Sequence, residues 1–195
     1  VAELCNRAGV LHIPSSASQL VTVDDTGNVR PFTYRSGPVN TDQVATMASY
    51  TYSELGNPKV AILYETTQVD TVDMAKAFKD TYTGLGGEIV AEATYQINDV
   101  EFRAQLTSLA QSNPSYLFMP VMGYKEAGYV AKQLSELGLG DIKLIGNYVY
   151  DTEDLLTLAG PELEGCIFAT DGDLSDSRFD EIKAEYQEYQ QATGM

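Results

Sequence analysis

VAILY at residues 60–64 is a short, continuous apolar run, and the fold can be inferred outward from it. A strand with both faces covered reads in this unbroken way, whereas a half-exposed strand alternates apolar and polar residues. Helix-like segments flank the run at residues 41–55 and 72–82, and glycines follow each of them. The pattern predicts a strand buried between two layers of helices.

The alternation of strand and helix continues along most of the chain. Four further strand-like runs lie at residues 89–95, 116–121, 142–147 and 167–170, with helix-like segments between them. Strands joined by helices form right-handed βαβ units, which build parallel sheets. The sequence therefore predicts an α/β fold: a doubly wound, parallel, five-stranded sheet with helices on both faces.

Two helix starts are predicted from capping residues. Asn98 is followed three positions later by Glu101, which resembles a capping box, and Asp151 precedes the short helix that ends before Gly160. We therefore expect one helix to begin near Asn98 and the next to be capped by Asp151.

The two ends of the chain do not continue this alternation. Residues 11–14 and 31–35 resemble strands, and an amphipathic helix with Tyr186 and Tyr189 on one face follows the polar run DGDLSDS. Neither arm is large enough to bury a core of its own. The first ten residues resemble the end of a helix, without the basic leader and long apolar core of a signal peptide, so we expect the chain to begin inside a larger protein.

The charge balance restricts the partners. The chain has 28 acidic and 12 basic residues, a net charge of -16, which repels phosphates and anionic lipids. No stretch approaches the ~20 apolar residues needed to span a bilayer. We expect neither a nucleic-acid partner nor membrane insertion of this segment. Cys5 and Cys166 are expected to be free thiols rather than a disulfide.

Catalytic and metal-binding motifs are missing from the sequence. His12 is the single histidine and lies in a strand-like segment, so neither a Ser-His-Asp arrangement nor a cluster of imidazole ligands is indicated. We predict no enzyme activity, catalytic residue, metal or cofactor. Two pairs of acids could hold a cation, but solvated loops are favoured for both because a full set of oxygen ligands is missing: Asp24 with Asp25, and Asp171 with Asp173.

Polar loops follow four of the predicted strands. Ligands of open parallel sheets bind beyond the carboxyl ends of the strands, and here those loops are residues 65–70, 121–125, 147–150 and 171–173. Their hydroxyl, amide and phenol groups suit a small polar ligand. Tyr124, Tyr148 and Tyr150 either contact such a ligand or simply cover strand ends, and as a cluster they favour ligand contact.

Several segments, in order and spacing, resemble a known family. They are AGVLHIPSS from residue 8, PFTYRS from 31, NPKVAILYET from 57, AKAFKDTYTGLGGEIVAEATY from 75, FRAQLTSLAQSNPSYLFMP from 102, VAKQLSELGL from 130 and LLTLAGPELEGCIFAT from 155. Together they resemble the type I periplasmic solute-binding proteins, in the branch that binds leucine, isoleucine and valine.

The resemblance implies two Rossmann-like lobes that close on a ligand. Residues 1–36 would be the end of lobe 1 and the first hinge strand, residues 37–171 lobe 2, and residues 172–195 the hinge return and a lobe 1 helix. The implied function is binding a small polar solute, an amino acid or a related compound, for the membrane permease of an ABC transporter. The implied location is extracytoplasmic, either periplasmic or as a cell-surface lipoprotein. The alternative is the ligand-sensing domain of a signalling receptor with this fold.

The family's ligand contacts map onto part of this sequence. The lobe 1 loop that holds the carboxylate and amine of an amino acid corresponds to Ser15, Ser16, Ala17 and Ser18. The loop after the first lobe 2 strand contributes Gln68, Val69 and Asp70, the loop after the third strand Tyr124, and the loop after the fourth Asn147 and Tyr148.

One departure from the family concerns charge. The acidic residue that pairs with the ligand ammonium falls near Asn147 or Tyr148, and neither is acidic. A buried ammonium without a charged partner costs several kcal/mol. Either Asp70 or Asp171 replaces that acid, or the ligand is a neutral amide, an aromatic acid or a nucleoside-like solute. We therefore expect a specificity other than for leucine, isoleucine or valine.

Overall fold

The computed structural model of the chain describes residues 1–14, 21–170, 177 and 180–193. Five parallel strands form one sheet in the order β2-β1-β3-β4-β5: β1 is Val60–Glu65, β2 Ile89–Tyr95, β3 Tyr116–Phe118, β4 Lys143–Gly146 and β5 Ile167–Phe168. The predicted doubly wound sheet is confirmed. The helices are α1 Ala2–Ala8, α2 Asn40–Ser53, α3 Val69–Gly84, α4 Arg103–Ala110, α5 Tyr124–Glu136, α6 Glu153–Ala159 and α7 Asp180–Thr193.

Alternate residues of β1 face two separate cores. Val60 and Ile62 pack with α2 and α3, whereas Ala61 and Leu63 pack with α4, α5 and α6. All four side chains are fully buried, as the apolar run predicts. On the α2–α3 side, the rings of Phe78 and the β3 residue Phe118 stack with their centroids 4.0 Å apart.

The strand order creates a crevice at one edge of the sheet. The chain runs from β1 to β2 on one side and then returns to place β3 on the other side of β1. The pairing register brings Glu65 opposite Tyr95 at the carboxyl ends of β1 and β2. In such a sheet the loops after β1 and β3 diverge, which leaves room for a ligand between them.

Two predicted helix starts are wrong. Asn98 has a φ of 68°, outside the extended conformation of a helix cap, and α4 begins at Arg103. At the start of α6, Thr152 accepts the bond from the Asp154 amide, while the Asp151 carboxylate instead accepts from the Thr170 hydroxyl at 2.7 Å.

The amino-terminal arm has little regular pairing. The strands predicted at residues 11–14 and 31–35 form a single parallel bridge between His12 and Thr33. Pro14 has no N–H to continue the ladder. Nearby, the Asp24 carboxylate accepts bonds from Thr26 and Asn28, which lower its pKa to about 2. That carboxylate closes a tight turn. Within the described ranges, no three metal-ligating side chains come together, and every helix is too short or too polar to span a bilayer.

Gly146, the last residue of β4, tests how closely the second core is packed. A Cβ at this position would lie 2.4 Å from the Tyr150 ring, whereas a Cβ at Gly140 would meet nothing within 4 Å. We expect Gly146→Ala to lower the free energy of unfolding by about 1–3 kcal/mol, because the ring must shift. Urea unfolding would measure the effect against Gly140→Ala as the control. Equal stability of the two variants would contradict this packing.

Candidate functional site

A cavity of about 420 Å³ lies at the carboxyl ends of β1, β2 and β3. It is where the strand order predicts a ligand site. Its walls come from the loops after these strands and from the starts of α3 and α5. The lining residues are Glu65, Gln68, Thr71, Tyr95, Ile97, Asn98, Met122, Gly123 and Glu126.

Glu65 ends β1 and fixes the start of α3. Its carboxylate, in a residue only 2% exposed, accepts bonds from the Thr67 amide at 2.6 Å, the Gln68 amide at 2.8 Å and the Thr67 hydroxyl. Burial alone would raise the pKa of Glu65, but the hydrogen bonds from Thr67 and Gln68 outweigh it, and the pKa is lowered. The floor of the cavity therefore carries a buried negative charge.

Thr71 and Gln96 hold the surrounding backbone. The Thr71 hydroxyl lies 2.9 Å from the Glu65 carbonyl oxygen and 2.8 Å from that of Gln68. The Gln96 amide donates to the Thr66 hydroxyl at 2.9 Å, which ties the loop after β2 to the loop after β1. These bonds make the cavity wall a connected unit rather than independent loops.

Tyr95 closes the cavity from the end of β2. It is 4% exposed, and its ring packs edge-on against Phe102 with centroids 5.3 Å apart. Burial raises the pKa of the Tyr95 hydroxyl, and the nearby carboxylates of Glu126 and Glu65 raise it further. The phenol is therefore protonated at neutral pH and can both donate and accept a hydrogen bond.

Asn147 joins the loops after β3 and β4. The residue is fully buried, its amide nitrogen donates to the Val121 carbonyl, and its amide oxygen accepts from the Val121 N–H, both at 3.0 Å. Beside it, the Tyr150 hydroxyl donates to the Met119 carbonyl at 3.1 Å, and Tyr150 is only 4% exposed. Tyr150 therefore covers the strand ends and holds the same two loops together.

Among the described residues, only one of the other predicted contacts lines the cavity. Gln68 lines it, whereas in the first turn of α3 Val69 is exposed and Asp70 is half-buried. Tyr124 begins α5 and lines a separate depression of about 330 Å³ with residues of α5 and α6. Tyr148 is half-buried in a 3₁₀ turn. Ser15, Ser16, Ala17 and Ser18 lie outside the described residues. The ligand contacts of all these residues stay predictions.

Most residues that line the cavity have no distinctive signal in the sequence. The four predicted ligand loops do not include the loop after β2, because the linear order does not reveal that β2 lies beside β1. One available signal was the charged residue that ends the apolar run VAILYE. Glu65, Met122 and Gly123 lie in the predicted loops 65–70 and 121–125 but were not named as contacts. The lining residues outside the predicted loops are Thr71, Tyr95, Ile97, Asn98 and Glu126.

Known proteins share this architecture. The sequence profile of the family described as periplasmic binding protein matches residues 1–195. No curated protein sequence matches the chain. A leucine binding protein, LivK, from Thermotoga maritima MSB8 superimposes with a TM-score of 0.86 at 24% identity, over 100% of this chain and 54% of that one. The chain thus spans about half the length of that protein.

Two further solved structures have different ligands. LivJ from Streptococcus pneumoniae, a branched-chain amino acid transporter substrate binding protein in complex with isoleucine, gives a TM-score of 0.67 at 24% identity, over 81% of this chain and 43% of that one. An ABC transporter solute binding protein from Rhodopseudomonas palustris BisB5 is in complex with 3,4-dihydroxy benzoic acid. It superimposes with a TM-score of 0.67 at 25% identity, over 83% of this chain and 43% of that one. The fold is therefore shared by proteins that bind chemically different solutes.

Replacing the buried carboxylate should reveal its charge. Glu65→Gln is expected to lower the free energy of unfolding by about 2 kcal/mol at pH 7, because an amide NH₂ cannot accept from the Gln68 N–H. A lowered carboxyl pKa stabilises the fold above the ordinary value of 4.5 and loses that contribution as the pH falls through the folded-state pKa. The difference from the unaltered chain should therefore shrink below pH 4.5, as urea unfolding would measure.

The exposed Glu88 provides the control for this experiment. Glu88→Gln should change stability by less than about 0.5 kcal/mol. A loss for Glu65→Gln that is the same at pH 3 and pH 7 would contradict the charged assignment.

Removing the Asn147 amide should separate two loops. Asn147→Ala leaves the buried N–H and carbonyl of Val121 without partners, and we expect a loss of about 2 kcal/mol in unfolding free energy. Hydrogen exchange at the Val121 amide should accelerate as well. An unchanged exchange rate at Val121 would contradict the role of Asn147 in holding this loop.

Proposed function

The chain belongs to the periplasmic binding protein family, and on this premise we propose that it forms most of one lobe of a two-lobed, extracytoplasmic solute receptor. The receptor binds a small polar ligand between its lobes and delivers it to the membrane permease of an ABC transporter. The observation that carries the proposal is the cavity at the carboxyl ends of β1, β2 and β3, whose lining includes acid, amide and hydroxyl side chains. It lies on a surface where a second lobe can close.

The packing supports the proposed division into lobes. The sheet and α2–α6 build two cores within residues 37–171. In contrast, α1 contains no buried residue, and large apolar side chains of the first arm are more than half exposed: Val1, Leu4, Val10, Leu11 and Ile13. We assign residues 1–36 and 172–195 to the hinge and to the opposite lobe, whose remaining residues would cover these side chains.

The proposed hinge lies at the two crossings between lobes, residues 36–40 and 170–173. The bond from the Thr170 hydroxyl to the Asp151 carboxylate joins the second crossing to the loop after β4. At the first crossing, the Arg35 guanidinium donates to the Gly37 carbonyl at 3.1 Å. A ligand that contacts both lobes stabilises the closed arrangement by its differential affinity, which is the physical basis of closure.

We retain the predicted contacts as parts of this site, with one change of role. Gln68 contacts the ligand from the cavity wall, and Tyr124 and Tyr148 contact it from the neighbouring loops, together with Val69 and Asp70. Ser15, Ser16, Ala17 and Ser18 belong to the facing lobe. Asn147 is a positioning residue, because both of its polar atoms are bonded to Val121. It acts by fixing the loops from which other groups reach the ligand.

Ligand binding by the intact protein tests the proposal. A thermal-shift screen of amino acids, aromatic acids and nucleosides should identify a solute that raises Tm, since a ligand specific for the folded state stabilises it. Isothermal titration should then show that residues 1–195 alone bind that solute at least about a hundredfold more weakly, because half of the contacts are missing. Submicromolar binding by residues 1–195 would contradict a site shared between lobes, and so would the absence of any hit.

A further inference from the structure

Tyr95 differs from the other deeply buried tyrosines in what its hydroxyl contacts. The Tyr82 hydroxyl donates to the Pro58 carbonyl at 2.5 Å, and the Tyr150 hydroxyl to the Met119 carbonyl at 3.1 Å. Tyr95 is equally buried, at 4% exposed, yet no described residue forms a hydrogen bond with its hydroxyl. The hydroxyl oxygen is not itself enclosed by protein, and Tyr95 lines the cavity, so this phenol is open to a polar group of a ligand there.

The charges around that phenol have one sign. The cavity lining includes the carboxylates of Glu65 and Glu126 and, among the described residues, no lysine or arginine. Both carboxylates act on the Tyr95 hydroxyl, with the influence of Glu126 the larger. An anionic group at this position would be repelled by both, whereas a cation would be attracted.

The carboxylates of Glu65 and Glu126 differ in how many hydrogen bonds they already accept. Glu65 is buried and accepts three hydrogen bonds from Thr67 and Gln68. Glu126 is half-buried, forms no hydrogen bond or ion pair with a described residue, and places its Oε2 3.2 Å from where a Cβ on Gly123 would be. An acid in the first turn of α5 also complements the helix dipole. That role leaves most of its acceptor positions open to a ligand.

From these observations we propose that the cavity binds a protonated amine of the ligand, with the Glu126 carboxylate and the Tyr95 hydroxyl accepting its N–H groups. The inference rests on the proposed solute-binding function and specifies the ligand class. The exposed side chains of Ile97 and Met122 flank the same cavity and would contact an aliphatic portion of the ligand.

This assignment replaces the acid that the sequence lacks near Asn147. Asn147 has a neutral amide at that position, and both polar atoms of the amide are hydrogen-bonded to the backbone of Val121. An ammonium has three donors and needs a charged acceptor once it leaves water. Glu126 supplies that acceptor from the loop after β3, so the charged contact lies at the β1–β3 edge instead of at the end of β4.

Binding of matched probes to the intact protein tests the inference. Isothermal titration would compare primary amines such as putrescine, the twenty amino acids, and aromatic acids such as 4-hydroxybenzoate. The tightest probe should carry a protonated amine. Glu126→Gln should weaken it by about tenfold or more, because the negative charge that pairs with the ammonium is lost. Tyr95→Phe should weaken it by roughly threefold to tenfold, because the hydroxyl acceptor is lost.

Two matched controls separate contact from general perturbation. Glu136→Gln removes a carboxylate from the far end of α5, and Tyr52→Phe removes a hydroxyl from α2; both should bind within about twofold of the unaltered protein. Circular dichroism would establish that all variants are folded.

Two results would overturn the amine site and leave the solute-binding function intact. The first is an aromatic acid as the tightest probe, and the second is unchanged amine affinity in both Glu126→Gln and Tyr95→Phe. Failure of the intact protein to bind any of these three probe classes or the nucleosides of the wider screen would count against both proposals.

Discussion

Parallel strands bring all their carboxyl ends to one edge of a sheet, and the rest of this structure depends on that constraint. With the order β2-β1-β3-β4-β5, the chain changes direction between β1 and β3. The helices that follow these two strands begin on opposite faces, α3 in one core and α5 in the other. Their first turns therefore diverge, and the cavity lies between them. No loop has to be unusually long to create it.

The cavity keeps its shape through hydrogen bonds that cross between loops. Glu65 closes the first turn of α3, Gln96 joins the first and second loops, and Asn147 joins the third and fourth. Each of these side chains ends or follows a strand, where the backbone leaves the ladder and its polar groups need new partners. The side chains that provide hydrogen bonds to the backbone at the strand ends therefore also surround the cavity. Tyr95 and Glu126 differ from them, because no described residue forms a hydrogen bond with the Tyr95 hydroxyl or the Glu126 carboxylate.

Local patterns predicted the elements better than their boundaries. The apolar run at residues 60–64 correctly identified a strand with two covered faces. The predicted start of α4 was wrong because a residue distant in sequence determines where the helix begins. The side-chain amide of buried Gln133 accepts from the Phe102 N–H at 2.7 Å and donates to the Val100 carbonyl at 2.8 Å. Asn98 and Glu101 match a capping pattern, but this tertiary contact outweighs it, since a buried amide needs both partners.

The sequence by itself determined the alternation of buried strands and amphipathic helices, because burial on both faces leaves a periodic record in the chain. It also determined the excess of negative charge and the polar character of the loops. Only the tertiary structure decided which loops meet. Tyr95 ends the second strand and Glu126 follows the third, yet both lie beside the first, because strand order is set by packing and pairing between distant segments. A cavity whose walls come from residues 65, 95 and 126 has no local signature, since its geometry exists only once the sheet has formed.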